Sequence, residues 1–253
     1  MTRAKRPPSL ERLLADALQG ERKPAAFVLA GHNGSGKSTL WYERLAPKLH
    51  LPLINADRLT ASILPHPDPE TKQLPTWAQR LRDDDQRWQS LSQEAVQTFV
   101  SLVMERRMAF AFETVFSHWK PLPDGTHESK IDLIRDLQRA GYFVVLVFVG
   151  LASVDLSILR VDTRKQQGGH GVPMAKLRQR FPRTQLAVGN AASIADMTVM
   201  LDNSRRPEDA FALVRAQRGS RLLFDCRDNA AHRLSPELVS VATLWLNKVC
   251  GPL

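Results

Sequence analysis

The residues Gly31-His32-Asn33-Gly34-Ser35-Gly36-Lys37-Ser38-Thr39 carry the clearest chemistry in the chain. Their spacing, G-x-x-x-x-G-K-[ST], is that of a phosphate-binding loop. Gly31, Gly34 and Gly36 let the backbone curl so that successive N–H groups point inward at an anion. The helix expected after the loop adds its positive end. Lys37 can reach the β- and γ-phosphates of a nucleoside triphosphate, and the Ser38 hydroxyl can ligate Mg²⁺. Asn33, Ser35 and Thr39 complete the loop and stand with it as nucleotide-binding candidates.

Further along the chain, side chains suited to phosphoryl transfer recur at the ends of apolar runs. Asp57, in Ile54-Asn55-Ala56-Asp57-Arg58, follows a short apolar run. It can accept a hydroxyl proton from a phosphoryl acceptor or hold that hydroxyl in line. The alternative is an N-cap for the next helix. Glu113 ends Ala111-Phe112-Glu113 and is followed by the hydroxyls of Thr114 and Ser117. It can bind substrate or hold a water on Mg²⁺, or be a solvated charge. Arg160 and Arg164 stand one helical turn apart, beside Lys165. On a mobile helix they can neutralise charge developing on a transferred phosphoryl group and exclude water; the alternative is a solvated basic face. His170 lies in the turn Gly168-Gly169-His170-Gly171 and can contact phosphate or substrate. A second basic cluster, Arg178, Arg180 and Arg183, surrounds Pro182, which is expected to bend the chain. Asp202-Asn203-Ser204 either borders the nucleotide pocket or forms a turn.

The elements that must position these residues alternate between apolar strands and helical stretches. Strands are predicted at Phe27–Ala30, Leu51–Asn55, Met108–Glu113, Tyr142–Val149 and Met197–Leu201. Helices are predicted at Thr39–Leu49, Thr76–Arg106, Glu128–Ala140, Val154–Gln166 and Met174–Asn190, with Gly141 as a helix stop. Ser9 caps an amphipathic helix to Leu18. Pro65 to Pro75 is a loop, and Ala210 to Leu253 reads as one or two strands and a final helix from Ser235. The fold class is therefore α/β: a P-loop NTPase-type parallel sheet with helices on both faces and a helical lid. In such sheets the carboxyl ends of the strands line the ligand crevice, which puts Asp57 and Glu113 beside the phosphate loop.

Composition narrows the function classes. The net charge of +9 favours anionic partners such as nucleotides. No lysine-rich tail or aromatic–basic interleaving marks RNA binding, and the five tryptophans form no stacking platform. Nucleic acid is therefore not the expected main partner. Two cysteines, Cys226 and Cys250, make neither a disulfide framework nor a metal cluster and suit a reducing cytoplasm. Met1 to Pro8 is basic without a following apolar segment, so secretion by a signal peptide is not expected. Phe143 to Val149, the longest apolar run, is too short to span a bilayer, so no membrane is expected.

With these residues in view, the chain resembles the zeta toxin family of P-loop kinases in its short form. The matching blocks are GHNGSGKST (31–39), INADRL (54–59), FETVFS (112–117), RVDTRKQQGGHGVP (160–173), RQRFPRT (178–184) and LDNS (201–204). The resemblance implies one kinase domain over 1–253, with a helical extension at 1–24, a lid and following helix at about 153–190, and a C-terminal extension at 205–253. It implies transfer of the γ-phosphate of ATP (or GTP), with Mg²⁺, to a hydroxyl of a nucleotide sugar such as UDP-N-acetylglucosamine. Lys37 would bind phosphates, Ser38 the metal, Asp57 would be the base, Glu113 a substrate-binding carboxylate and Arg164 a lid arginine on the γ-phosphate. Some relatives phosphorylate other nucleotides, and a small antitoxin is an implied partner. The sequence departs from the family where a second lid arginine is expected, leaving Arg160, His170, Arg178, Arg180 and Arg183 as candidates to complete the phosphate clamp. The rival readings are a regulatory ATP-binding switch without kinase activity and a polynucleotide kinase.

Overall fold

The structure, a computed structural model, describes residues 7–19, 21–228 and 234–253; the basic residues 1–6, and parts of the two extensions at residue 20 and at 229–233, lie outside the described residues. Helix α1 (Leu10–Leu18) opens the chain, with the Ser9 hydroxyl accepting from Arg12 N. Strand β1 (Ala25–Gly31) feeds the phosphate loop, after which α2 (Lys37–Leu40) passes through a π-helical turn (Trp41–Leu45) into α3 (Ala46–Leu49). Then come β2 (Leu53–Ile54), α4 (Ala56–Ala61), α5 (Thr76–Asp84), α6 (Gln86–Glu105) and β3 (Phe110–Thr114). A hairpin, β4 (Trp119–Pro121) and β5 (His127–Ser129), leads to α7 (Ile131–Arg139), β6 (Phe143–Gly150), α8 (Val154–Gln166) and α9 (Met174–Ala191). The chain closes with β7 (Met197–Asp202), β8 (Ala212–Arg218), β9 (Arg221–Asp225) and α10 (Pro236–Cys250).

The sheet has the order β2-β3-β1-β6-β7-β8-β9. The first five strands are parallel, whereas β8 and β9 join antiparallel. The expected parallel sheet is thus a mixed one. β6 shows why the sheet reads so clearly in sequence: FVVLVFVG is buried at every position, as a strand covered on both faces must be. Among the described residues, no helix is long and apolar enough to cross a membrane.

Several expectations are corrected. The predicted second strand shrinks to Leu53–Ile54, because Pro52 has no N–H to give the ladder and only its carbonyl is used, by Ala111 N at 2.8 Å. The single helix expected over Thr76–Arg106 is two, split at Asp85, which is extended and caps α6 by accepting from Trp88 N at 2.8 Å. Pro182 does not break its helix: α9 runs through it, with Phe181, Thr184 and Gln185 buried around it. Helix α4 was implied only by the cap reading of Asp57, and the β4–β5 hairpin was not anticipated.

The C-terminal segment has a definite task. Trp245 of α10 is fully buried and donates from Nε1 to Asp202 Oδ1 at 2.9 Å. A Cβ on Gly150 would lie 2.6 Å from the Trp245 ring, so β6 can end there only as glycine. Asp202 also accepts from the Ser204 hydroxyl at 2.7 Å, and Asn203 donates from Nδ2 to Ser35 O at 2.8 Å. The last helix therefore props the turn that braces the phosphate loop.

Candidate active site

The phosphate loop is held closed from within. Lys37 is buried, and its Nζ donates to Gly31 O at 3.1 Å and His32 O at 3.0 Å, closing the loop on itself. Gly34 and Gly36 are left-handed, with φ of 69° and 90°. Gly36 has no room for a side chain either, since a Cβ would meet Asn203 Nδ2 at 2.7 Å. Such a loop presents amide hydrogens and a cation to an anion. Burial pulls the Lys37 ammonium below the usual lysine range and Arg164 adds to this, while the Glu113 and Asp57 carboxylates act the other way.

His32, passed over in the sequence, supports the loop from behind. It is buried, stacks on Phe181 with ring centres 3.7 Å apart, and meets Phe148 edge-on. Neither ring nitrogen has a hydrogen-bond partner. Burial, helped by the Lys37 charge, pushes its pKa down to about 3, so the ring is neutral. Its contact with Phe181 ties the loop to α9, a link between residues far apart in sequence.

Beside the loop lies a cleft of about 990 Å³. Asn33, Gly34, Lys37 and Ser38 of the phosphate loop line it, as do Asp57, Glu113, Thr114, Arg164, His170 and Arg180. The Ser38 hydroxyl donates to Glu113 at 2.9–3.0 Å, and Asn55 Nδ2 donates to the same carboxylate at 2.6 Å. Glu113 is therefore fixed beside the hydroxyl expected to meet a metal. Thr114 uses its hydroxyl to accept from Phe116 N at 3.2 Å, holding the turn after β3, where Phe116 is left-handed.

Asp57 lies in the first turn of α4 but is not its cap. Asn55 is, accepting from Arg58 N at 3.1 Å, which corrects the expected alternative. The Asp57 carboxylate has no hydrogen-bond partner among the described residues, and it faces the charges of Lys37 and Arg180. It is thus an exposed, unencumbered acceptor lining the cleft.

The basic candidates separate. Helix α8 lies on the loop, with Ser157 Oγ donating to Asn33 O at 2.7 Å and Arg160 Cβ against Gly34. Arg160 does not line the cleft, and Arg164, one turn on, does. Arg180 lines it too; desolvation lowers the pKa of its guanidinium, and the charge of Asp57 acts the other way. Arg178 turns away to Asp155 at 3.4 Å, and Arg183 and Thr39 are exposed outside the cleft. Lys130, missed in the sequence, also lines the cleft; it lies over the Phe112 ring at 5.9 Å with no carboxylate partner among the described residues, and burial lowers its pKa. The signal was available, because a lysine at the start of α7 opposes the helix dipole.

No curated protein matches the chain by sequence. Among solved structures, the complex of AvrRxo1-ORF1 and AvrRxo1-ORF2 with sulphate ions contains a chain similar at TM-score 0.58 and 15% identity, over 94% of this chain and 80% of that one. The same complex with ATP gives 0.55 at 14% identity, with the same coverage. A structure from the PezAT toxin–antitoxin system of Streptococcus pneumoniae gives 0.52 at 12% identity, over 94% and 92% of the two chains. At such identities the likeness is one of fold, that of a kinase-like P-loop protein. Sequence makes the narrower assignment: the zeta toxin family model matches residues 11–206, from α1 through the phosphate loop, cleft and α8 to the Asp202 turn, and the chain belongs to the zeta toxin family.

Proposed function

We propose that the protein is an ATP-dependent small-molecule kinase, transferring the γ-phosphate of ATP to a hydroxyl of a nucleotide sugar such as UDP-N-acetylglucosamine. The observation that carries this is Asp57: an unpartnered carboxylate sharing one cleft with Lys37, Ser38 and Arg164. A protein that only bound nucleotide would have no use for a free base there. The fold is shared with a complex determined with ATP, which supports the choice of nucleotide.

The residues divide the work. The loop amides and Lys37 hold the β- and γ-phosphates. Ser38 would hold Mg²⁺, and Glu113, bonded to Ser38, would hold one of its waters. Both are hard oxygen donors, which suits this ion. Among the described residues no group of three or more His, Cys, Asp or Glu side chains converges, so the phosphates would supply further ligands. The metal would neutralise charge on the phosphate oxygens. Asp57 takes the proton of the acceptor hydroxyl as that oxygen bonds to the γ-phosphorus and the bond to the β–γ bridging oxygen breaks, releasing ADP. Arg164 and Arg180 complete the clamp on the moving phosphoryl group. Thr114 and His170 border the acceptor.

The rest of the cleft lining favours an anionic acceptor. Arg58, Lys130 and Lys176 line the cleft in addition to Lys37, Arg164 and Arg180, and Lys130 bears a desolvation cost that a phosphate would offset. The PezAT structure belongs to a toxin–antitoxin system, and a small antitoxin is the proposed protein partner. The test is transfer from γ-labelled ATP into UDP-N-acetylglucosamine, other UDP-sugars, nicotinamide dinucleotide and RNA oligonucleotides, with the Lys37→Ala protein as control. Label on a UDP-sugar supports the reading. Label on another small nucleotide keeps the kinase and discards the sugar. Label on RNA alone, or on nothing while ATP binds, contradicts it.

A further inference from the structure

The end of α5 meets the loop after α8 in a polar clasp whose α5 members, Arg82 and Asp83, the mechanism above does not use. Arg82 and Asp83 pair side by side, Nε to Oδ1 at 2.8 Å and Nη2 to Oδ2 at 3.1 Å. Asp83 Oδ1 also holds His170 Nδ1 at 2.7 Å. Arg82 donates from Nη1 to Gly168 O at 3.1 Å and from Nη2 to Gly169 O at 3.5 Å. One ion pair thus grips three consecutive residues of a glycine-rich loop that its sequence alone would leave free.

That loop in turn fixes Arg164. Arg164 Nη2 donates to His170 O at 2.9 Å. A Cβ on Gly169 would lie 2.6 Å from Arg164 Cγ, so the arginine stem runs flush against the glycine. On its other side the loop presses on the segment before α5: Gly168, at φ of 83°, would place a Cβ 1.7 Å from Lys72 O. The path from Asp83 to Arg164 is therefore short, packed and hydrogen-bonded throughout. Asp83 is held in its charged form: burial works to raise its pKa, but hydrogen bonds from Arg82 and His170 more than offset this. A role in core stability is a poor explanation, because Ala78 is the one buried residue of α5.

We propose that Arg82 and Asp83 are positioning residues, which hold the Gly168–His170 loop in the shape that aims Arg164 at the terminal phosphate. This rests on the reading that the cleft binds Mg–ATP. It makes the segment between β2 and β3, which forms the acceptor wall, a part of the machinery that reads the γ-phosphate.

The experiment needs no acceptor. Calorimetry measures the preference for AMPPNP over ADP, both with Mg²⁺, in the wild type, Arg164→Ala, Asp83→Ala and the double variant. Arg164→Ala is expected to reduce the wild-type preference about tenfold, the loss of one charge-assisted contact. Asp83→Ala is expected to reduce it by a similar factor, with ADP affinity and unfolding temperature unchanged, and the double variant no further than either single one. Asp83→Glu should recover part of the preference, and Arg82→Gln should lose it while keeping Asp83. Losses that multiply in the double variant, or an intact preference in Asp83→Ala, would overturn the proposal. So would a wild-type preference that Arg164→Ala leaves untouched. A wild type that binds neither nucleotide would remove the kinase reading itself, and the clasp with it.

Discussion

The two ends of the cleft are built on different terms. At the phosphate end nearly every group is buried or braced: Lys37 on the loop carbonyls, Asn203 on Ser35 O, His32 on Phe181, and Trp245 behind Asp202. The far wall is made of α4 to α6 and the residues around the hairpin; α4 and α5 together bury only Ala78, and Asp57 and Arg58 are exposed. The difference follows from what each must bind. A triphosphate is the same in every turnover, so a rigid cradle incurs no reorganisation during transfer. An acceptor must enter and leave, and the groups proposed to meet it, apart from the partly buried Lys130, stay solvated until it does.

Losing a group at the braced end should therefore cost most. Lys37→Ala is expected to lower transfer by about 10³-fold, seen in initial rates with whichever acceptor is labelled. A variant retaining a tenth of the rate would mean that the loop amides alone carry the phosphates. Next comes the brace itself. Gly150→Ala drives a methyl into the Trp245 ring and is expected to cost about 2 kcal/mol in denaturant unfolding, as overpacking does. No loss would show that α10 yields easily and does not prop the site.

His32 adds a pH dependence confined to this end. Its pKa is depressed from 6.5 to about 3 by burial, so below pH 6.5 the unfolded chain takes up a proton that the folded one refuses. Stability contributed by the neutral ring is complete above pH 6.5 and declines as pH falls toward 3, by about 1.4 kcal/mol per unit at most. Unfolding of His32→Leu between pH 7 and 4.5 should fall by about 2 kcal/mol less than that of the wild type. Parallel curves would place the ring in contact with solvent. The smallest effect is expected at the acceptor wall. Lys130→Ala should raise KM for an anionic acceptor about tenfold and leave KM for ATP unchanged. A matching rise for ATP would mean that the two ends are not separate sites.

The contrast also explains what could be read from the chain. The phosphate loop is contiguous, so its chemistry is visible in nine residues, and α8 runs over Val154–Gln166 as its pattern predicts. Burial on both faces made β1, β6 and β7 plain apolar runs. The supports were hidden because each joins distant residues: His32 with Phe181, Ser35 with Asn203, Asp83 with His170. Arg82-Asp83-Asp84-Asp85 looks like a solvated charge run until the fold brings the Gly168 loop to it. The Asp57 cap reading failed for a local reason, since Asn55 two residues earlier is an equally good cap.

The central claim is that Asp57 is the base of a phosphoryl transfer for which the phosphate end alone is insufficient. The direct test is single-turnover transfer by Asp57→Ala, with its affinity for Mg–ATP measured on the same preparation. Unchanged ATP affinity with transfer abolished is the expected result. Full phosphorylation of the acceptor by Asp57→Ala would contradict it.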